Sequence, residues 1–360
     1  MNTPHNWSWI ALLLLAPVCQ QTIASAQAQN ADNDAKQPAA KGDRLLGLGI
    51  NEGSIGFGEA FAAARDAGLQ FVELPSQWDD IEPKPGEFTN QWLDIANAYY
   101  PAVGTRLVIS LNPIDTNKLR LPADLSGKPL DDPAVIERYN KAAEYVLSRV
   151  SKADLVAFAI GNEIDGYLGS DPKKWQQYVR FFAAASEHVR RTRPGVIVGA
   201  KVMLSSLVGG ARALAEPVNA RADAVLVTYY PLSDGFRVKS PSAVAKDLEG
   251  VVQQYPDKPI YLLEAGCPSS SYLGSSEARQ AEFVREVFSF WDAHPRQLKA
   301  VNFIWLHDIS DAEVQSYTKY YGVGQRAFAE YLGTLGLRSH DGKDKQAFQV
   351  LRQEAKSRGW

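Results

Sequence analysis

The sequence predicts a single (β/α)8 TIM barrel, an α/β fold in which eight parallel strands alternate with helices. From Leu45 to the C-terminus, short apolar runs alternate eight times with helix-sized amphipathic stretches. Such alternation is typical of a parallel sheet covered by helices, and eight repeats favour a closed barrel over an open sheet. No Gly-x-Gly-x-x-Gly follows the first run and no Walker A motif occurs, so open nucleotide-binding folds have no support.

Eight apolar runs are interpreted as the strands. The clearest is the fourth, in which six apolar residues lead into Gly161-Asn162-Glu163, as expected for a short strand that is buried on both faces. In chain order the runs cover residues 45–50, 69–74, 106–111, 155–160, 196–202, 224–230, 259–264 and 299–305.

Helices are predicted between and after these runs from amphipathic periodicity and from end signals. Gly68 ends the first helix, and Ser170-Asp171-Pro172 begins the fourth with an acceptor followed by Pro. The predicted segments are 58–68, 90–99, 132–150, 170–193, 207–219, 241–255, 277–293 and 344–358.

The N-terminus is interpreted as a secretory signal peptide over residues 1–26. Ile10–Val18 is an apolar run too short to span a bilayer, and Ala24-Ser25-Ala26 is a small-x-small site suited to signal peptidase. Cys19 raises the alternative of a lipoprotein anchor, but the residues before it fit a lipobox poorly. Residues 27–44 are predicted to be a flexible leader. We therefore expect a secreted or periplasmic protein with no integral membrane segment after cleavage.

Composition limits the partners. The net charge is −3, so no global basic excess indicates nucleic acid binding. Hydrophobic residues make up 45% of the chain, enough for one large core, and residues 45–360 are predicted to form one domain and a monomer. After cleavage only Cys267 remains, which we interpret as a small buried residue. The five histidines lie far apart, so neither a metal nor another cofactor is predicted.

Side chains suited to chemistry gather where the predicted strands end. In (β/α)8 barrels the active site lies at the carboxyl ends of the strands, so these residues are expected to share one mouth. They are Trp78 after the second strand, Asn112 after the third, Asn162 and Glu163 after the fourth, Tyr229 at the sixth, Glu264 at the seventh, and Trp305 and His307 at the eighth. Aromatic rings suit the C–H faces of a sugar, and amides suit its hydroxyl groups.

Glu163 and Glu264 are the strongest candidates for catalysis. Each ends an apolar run, and the ends of the fourth and seventh strands can present side chains to each other across the mouth of a barrel. Glycoside hydrolysis needs two such carboxyl groups, of which one donates a proton and the other remains ionised. Close approach of two like charges in a partly desolvated pocket raises one pKa and separates the two roles.

Several single residues of this set have structural alternatives. Trp305 could cap the barrel core, and Tyr229 could pack in the core with its hydroxyl group on a carbonyl. His307 could be a hydrogen-bonding loop residue, and Lys201 a solvated or ion-paired residue of the barrel. A structural explanation is harder to find for the pair Glu163 and Glu264, because both end an apolar run.

At these residues the sequence resembles clan A of the glycoside hydrolases, which are retaining (β/α)8 enzymes. Asn162-Glu163 matches the acid/base motif of strand four, and Glu264 matches the nucleophile of strand seven. Tyr229 matches the tyrosine that hydrogen-bonds the nucleophile, and Trp305 matches the tryptophan beneath the cleaved sugar. Further similarity lies in residues 78–88, like the W-x-x-I-E-P-x-x-G-x-F/Y segment after strand two, and in residues 336–343 before the final helix.

Within the clan, residues 161–168 are most similar to the family 53 endo-β-1,4-galactanases, and other parts are shared with families 39 and 5. Many clan members have an Arg near the end of strand two, but residues 71–75 of this sequence contain none. Either another residue, Gln77 or Lys201, orients the nucleophile, or the chain represents an outlying family of the clan.

The resemblance implies a retaining β-glycosidase that hydrolyses O-glycosidic bonds of a polysaccharide or oligosaccharide by double displacement, and we expect endo action. Glu264 is the implied nucleophile and Glu163 the implied acid/base, with Asn162 on the 2-hydroxyl group of the sugar. The other predicted substrate-binding residues are Tyr229, Trp305, Trp78, Asn112 and His307. Two alternatives remain: a non-catalytic carbohydrate-binding barrel of the cell envelope, and a transglycosylase that uses the same residues.

Overall fold

Eight parallel strands form the centre of the computed structural model, which describes residues 38–360. They are β1 (Leu45–Leu48), β2 (Phe71–Gln77), β3 (Arg106–Asp115), β4 (Leu155–Asn162), β5 (Ile197–Gly199 and Lys201–Met203), β6 (Val225–Tyr229), β7 (Ile260–Ala265) and β8 (Leu298–Phe303). Each lies within or overlaps an apolar run of the sequence, so the strand prediction is confirmed. Two-residue antiparallel strands lie in the loops at Lys118–Leu119, Leu232–Ser233 and Arg237–Val238.

The fifth strand closes the barrel. β1 pairs with both β2 and β8, and the other strands pair in chain order. β5 is interrupted at Ala200, so that Ile197–Gly199 pairs with β4 and Lys201–Met203 pairs with β6. All of these pairings are parallel, which confirms the predicted (β/α)8 TIM barrel.

Helices surround the strands. The longer ones are α1 (Phe57–Asp66), α2 (Gln91–Ala102), α3 (Pro133–Arg149), α4 (Pro172–Thr192), α5 (Arg212–Arg221), α6 (Ala243–Gln254), α7 (Glu277–Ala293), α8 (Asp311–Tyr321), α9 (Arg326–Gly333) and α10 (Gln346–Arg358). Single turns lie at Trp78–Ile81, Ala123–Leu125, Asp165–Leu168, Leu204–Val208, Asp234–Phe236 and Ser271–Leu273. Asp132 and Asp171 accept hydrogen bonds from the first turns of α3 and α4, each ahead of a Pro. No helix within residues 38–360 is long and apolar enough to cross a membrane.

The sequence does not predict α8 and α9. None of the 11 residues of α8 is fully buried, and its helix-spaced residues Val314 and Tyr321 pack on a small cluster outside the main core. Its start is fixed by a capping box between Ser310 and Glu313. We call residues 311–333, between β8 and α10, the rim insert.

The inward-facing residues become polar towards the carboxyl ends of the strands. The interior is filled by apolar residues that include Phe71, Val108 and Leu226. Side chains on one face of a strand recur every two residues. Two residues further along the same three strands stand Glu73, Ser110 and Thr228. This change places polar groups beneath the mouth of the barrel.

Arg44 belongs to the domain although it falls in the predicted leader, residues 27–44. It is 1% exposed, its guanidinium lies 2.8 Å from Asp292, and it stacks over the rings of Trp291 and Trp360. The predicted boundary at residue 44 is therefore wrong, because Arg44 packs against α7 and the C-terminus. The predicted signal peptide lies outside the described residues.

Candidate active site

Glu163 directly follows β4. Its backbone φ of 42° is unusual for a residue other than glycine. Its carboxylate accepts hydrogen bonds from Thr116 Oγ1 at 2.9 Å and Thr228 Oγ1 at 2.8 Å. Desolvation raises the pKa of Glu163 to about 8, and the negative charges of Glu264 and Asp165 add to the effect. Glu163 therefore carries a proton at neutral pH.

Glu264, in β7, lies in a different environment. Lys201 Nζ donates a hydrogen bond to its Oε1 at 2.9 Å, and the hydroxyl group of Tyr230 donates to its Oε2 at 2.7 Å. Donors of this kind, and a cation above all, stabilise an ionised carboxylate. The two glutamates thus differ in their hydrogen-bond donors. Glu264 has a cationic donor, Lys201, whereas the donors to Glu163 are the neutral hydroxyl groups of Thr116 and Thr228.

No arginine lies at the end of β2, and the cation beside Glu264 comes instead from Lys201 of β5. Lys201 is 2% exposed, and its Nζ also lies 2.6 Å from Glu73 Oε1. Ser110 Oγ donates to the same oxygen at 2.6 Å. Burial alone would lower the pKa of Lys201, but the charges of Glu264 and Glu73 outweigh it and hold the pKa above its ordinary value. Of the two expected residues, Lys201 is the one that contacts Glu264.

Asp115 organises a group of amides at the mouth of the barrel. Its carboxylate accepts hydrogen bonds from Asn162 Nδ2 at 2.9 Å, Gln77 Nε2 at 3.0 Å and the Tyr320 hydroxyl group at 2.8 Å. Asn112 is 1% exposed, and neither polar atom of its amide has a partner among the described residues. The same is true of Asn162 Oδ1 and Gln77 Oε1. Buried amides normally have partners. Gln77 and Asn162 are only half-buried, so their amides suit the hydroxyl groups of a ligand, whereas Asn112 is almost inaccessible and its predicted contact with a sugar stays a prediction.

Aromatic rings of the rim insert pack against Trp305 and against Tyr230. Tyr317 stacks on Trp305 with ring centroids 5.9 Å apart, and Tyr321 stacks on Tyr317 at 6.3 Å. From α9, Tyr331 packs edge-on against Tyr230 at 5.3 Å. Burial raises the pKa of Tyr321 and of Tyr331, and nearby carboxylates that include both glutamates add to the shift. Tyr331 therefore contacts the tyrosine that hydrogen-bonds Glu264.

Tyr229 does not make the contact predicted for it. Its hydroxyl group donates to Asp247 Oδ2 at 3.0 Å on α6, and its ring lies 6.2 Å from that of Phe283 on α7. Tyr230 contacts Glu264 instead. Successive residues of a strand point to opposite faces, so Tyr229 faces the helices while its neighbour faces the mouth. The prediction is wrong by one residue.

Two other predicted sugar-binding residues are structural. Trp78 is 0% exposed and donates its Nε1 hydrogen to Glu82 Oε2 at 3.0 Å. His307 is also 0% exposed, with Nδ1 2.8 Å from the carbonyl oxygen of Asn51 and Nε2 3.2 Å from Arg338 Nη1. Neither side chain can reach a ligand in the mouth, so both predictions are wrong.

The structure also identifies site residues that the sequence analysis missed. Counting every second residue from Leu226 along β6 gives Thr228 and then Tyr230. The same count from Phe71 along β2 gives Glu73. Thr116 lies in the loop after β3, and no pattern in the sequence marks it. Within residues 38–360, no group of three or more His, Cys, Asp or Glu side chains is arranged to hold a metal ion.

Solved structures of glycoside hydrolases share this fold. The exo-β-1,4-mannosidase Op5Man5 from Opitutaceae bacterium strain TAV5 superposes with a TM-score of 0.68 at 18% identity, over 90% of this chain and 62% of that one. A GH5_18 variant from Streptomyces cattleya, in complex with Manb1-4GlcNAc, gives 0.67 at 16% identity over 87% and 80%. A family 39 glycoside hydrolase from Bacteroides cellulosilyticus WH2 gives 0.59 at 13% identity over 88% and 64%.

At these identities the similarity establishes the (β/α)8 fold. No protein-family model matches the sequence, and a search of curated proteins finds no match. Two of the three structures are from families 5 and 39, which the sequence also resembles. The motif similarity to family 53 stays a prediction.

Proposed function

We propose that the chain is a retaining β-glycosidase that hydrolyses O-glycosidic bonds by double displacement. The contrast between two carboxyl groups at one mouth supports this most strongly. Glu163 holds a proton at neutral pH, with its pKa raised to about 8, whereas Glu264 accepts hydrogen bonds from the ammonium group of Lys201 and the hydroxyl group of Tyr230. A retaining glycosidase requires one carboxyl group of each kind.

In the first step, Glu264 attacks the anomeric carbon while the bond from that carbon to the leaving oxygen breaks. Glu163 transfers its proton to the leaving oxygen, so the leaving group departs as a neutral alcohol. Lys201 and Tyr230 orient the attacking carboxylate through their hydrogen bonds. Asn162 can accept a hydrogen bond from the 2-hydroxyl group, because its Oδ1 has no partner among the described residues.

The second step reverses the role of Glu163. The covalent bond to the sugar neutralises Glu264 and so removes one charge that raises the pKa of Glu163. That pKa falls, and ionised Glu163 takes a proton from water as the water attacks the anomeric carbon. Thr116 and Thr228 donate hydrogen bonds to the ionised form. Glu264 leaves as a carboxylate, and two inversions give net retention.

The proposed substrate is a β-linked oligosaccharide or polysaccharide. Of the solved structures with this fold, one is named an exo-β-1,4-mannosidase and another is bound to Manb1-4GlcNAc. β-1,4-Mannosides are therefore the first substrates to test, followed by galactan, xylan and β-glucan. The amide of Asn162 would bind a hydroxyl group, and Trp305 would stack on a sugar ring.

Substitution of each glutamate tests the proposal. Glu264→Gln should retain less than about 1% of wild-type kcat/KM, because it removes the nucleophile. Glu163→Gln should lose far more activity on alkyl glycosides than on 2,4-dinitrophenyl glycosides, whose leaving group needs no proton. Glu59→Gln, on the exposed face of α1, is the matched control and should be unchanged. A Glu264→Gln enzyme with more than about 1% activity would contradict the assignment.

The same assays separate the alternatives. A carbohydrate-binding barrel would bind sugars without turnover by the wild-type protein. A transglycosylase would pass the sugar to a second sugar instead of water, and product analysis at high acceptor concentration would reveal the transfer product.

We also propose a secreted or periplasmic location, on the basis of the predicted signal peptide at residues 1–26. Expression of the full chain, followed by cell fractionation and N-terminal sequencing, should give an exported protein that begins at Gln27. A lipid-modified N-terminus at Cys19 would instead favour the lipoprotein alternative.

A further inference from the structure

We infer that the mouth of the barrel is a pocket closed on the glycone side, so that the enzyme removes single sugars from non-reducing chain ends. The inference depends on the proposed glycosidase function and deepens it. It departs from the endo action expected from the sequence. The attachments of the rim insert, residues 311–333, are the reason.

The first attachment joins α8 to the loop after β3. Arg120 Nη1 donates to the hydroxyl group of Tyr320 at 2.9 Å, and that hydroxyl group donates to Asp115 Oδ2 at 2.8 Å. Asn117 Nδ2 donates to the carbonyl oxygen of Tyr321 at 2.9 Å. The insert leaves the barrel at β8, and β1 and β2 lie between β8 and β3. α8 therefore bridges the ends of β1 and β2.

The second attachment joins α9 to the loops after β6 and β7. Tyr331 packs against Tyr230 at 5.3 Å and against Phe236 at 5.5 Å. Ser270 Oγ donates to Glu330 Oε2 at 2.6 Å. The insert is thus fixed to the rim on both sides of its origin at β8.

These attachments leave the sector of β4 and β5 for the leaving group. Glu163 follows β4, and its proton must reach the leaving oxygen, so the aglycone lies towards this sector. The glycone then lies towards the insert, above Trp305. A chain that continued beyond the cleaved sugar on that side would have to pass through α8 and its hydrogen bonds to the β3 loop. Only a terminal sugar fits such a pocket.

Tyr321 is the residue that ends the pocket. It is the last residue of α8, and its ring packs against Tyr317, Tyr320 and Phe328. Its pKa is raised by burial and then by nearby carboxylates, including the proposed catalytic pair. Tyr321 thus lies where α8 is joined to the loop after β3, next in that loop to Thr116, which hydrogen-bonds Glu163.

Product analysis of the wild-type protein tests the inference. The probes are reducing-end-labelled tetra- to hexasaccharides of β-1,4-linked mannose, galactose or glucose, with and without a 4,6-O-benzylidene cap on the non-reducing sugar. We expect the labelled product one unit shorter to appear first, together with the free monosaccharide. The cap should lower kcat/KM at least about 100-fold, because it must enter the closed pocket. Early internal cleavage, or equal rates on capped and uncapped chains, would overturn the inference.

Tyr321→Ala tests the assigned residue. In this variant the ratio of kcat/KM on capped and uncapped chains should rise about tenfold or more, because a large side chain is removed from the closed end. Trp92→Ala is the control, since Trp92 is 68% exposed on α2, and its ratio should equal that of the wild type. An unchanged ratio in folded Tyr321→Ala would overturn the assignment. Circular dichroism verifies folding, and the wild-type product pattern decides the inference if the variant does not fold.

Failure of the proposed function gives a different result. If the wild type turns over none of the β-glycosides and forms no covalent adduct with 2-deoxy-2-fluoro glycosides, the glycosidase proposal is overturned and this inference falls with it. Turnover with internal cleavage overturns this inference alone.

Discussion

Replacement of Lys201 by Met removes the ammonium group between Glu264 and Glu73 while keeping the length of the side chain. At an effective dielectric constant of about 20, the attraction between Lys201 and Glu264 across 2.9 Å is on the order of 6 kcal/mol. Desolvation of the buried pair offsets much of this energy. We therefore expect a net loss of about 2–3 kcal/mol in stabilisation of the attacking carboxylate, which corresponds to roughly 30- to 150-fold in kcat/KM.

The assay is kcat/KM against pH on an aryl glycoside that the wild type hydrolyses. Lys201→Met should lower kcat/KM by that factor on this substrate, because the attacking carboxylate loses the cation that orients and stabilises it. Lys258→Met is the control, since Lys258 Nζ binds the carbonyl oxygens of Asn219 and Ala222 away from the site. It should lower the thermal midpoint and leave kcat/KM and the pH profile unchanged. A folded Lys201→Met enzyme with wild-type kcat/KM and pH profile would refute the reasoning.

Three further predictions follow from the site. Wild-type kcat/KM should fall as the pH rises above about 8, because Glu163 must carry a proton, and an activity still rising well above that pH would contradict the assignment. The pKa of Glu163 in the folded protein lies above its ordinary value of 4.5, so its stabilising contribution is complete below that value and is lost as the pH rises through about 8. Urea unfolding near pH 9 should therefore show Glu163→Gln to be more stable than the wild type by about 2 kcal/mol, a value lowered to allow for the partial exposure of the side chain. A variant that is less stable than the wild type at this pH would contradict the raised pKa of Glu163. Tyr230→Phe should lower kcat about 10- to 100-fold through the lost hydrogen bond to a charged group, whereas Tyr229→Phe should cost about 1 kcal/mol of stability and leave kcat unchanged; the reverse pattern in a paired kinetic and unfolding experiment would show that the two tyrosines are misassigned.

The barrel could be predicted because its strands are apolar on both faces. Runs such as Leu155–Asn162 have few interpretations other than a buried strand. Asp171 marked a helix start for the same local reason, since capping depends on neighbours in sequence. Local chemistry of this kind is fully present in a single sequence.

Side-chain direction at the strand ends was harder to predict. Tyr229, Trp78 and His307 do lie at or just after strand ends, but their side chains point away from the mouth. The alternation of side chains along β6 favours Tyr230 as the residue that faces the mouth, but alternation alone does not identify every site residue. At Glu264 the register of β7 against β6 shifts between Leu262 and Glu264, and this residue was identified by its place at the end of an apolar run rather than by alternation.

The rim insert could not be predicted because its role depends on long-range contacts. Arg120 and Tyr320 are 200 residues apart in sequence, and nothing near either residue indicates the other. Lys201 was identified as one of two possibilities, and only the contact with Glu264 distinguished it from Gln77. Endo or exo action depends on such contacts, so it could be argued only from the structure.

Covalent trapping tests the central claim most directly. The protein is incubated with activated 2-deoxy-2-fluoro β-glycosides, beginning with the mannoside, and is then analysed by intact mass and peptide mapping. Double displacement predicts a single fluoroglycosyl adduct on Glu264 and no adduct in Glu264→Gln. An adduct on another residue, or none with a sugar whose unfluorinated β-glycoside is hydrolysed, would contradict the account.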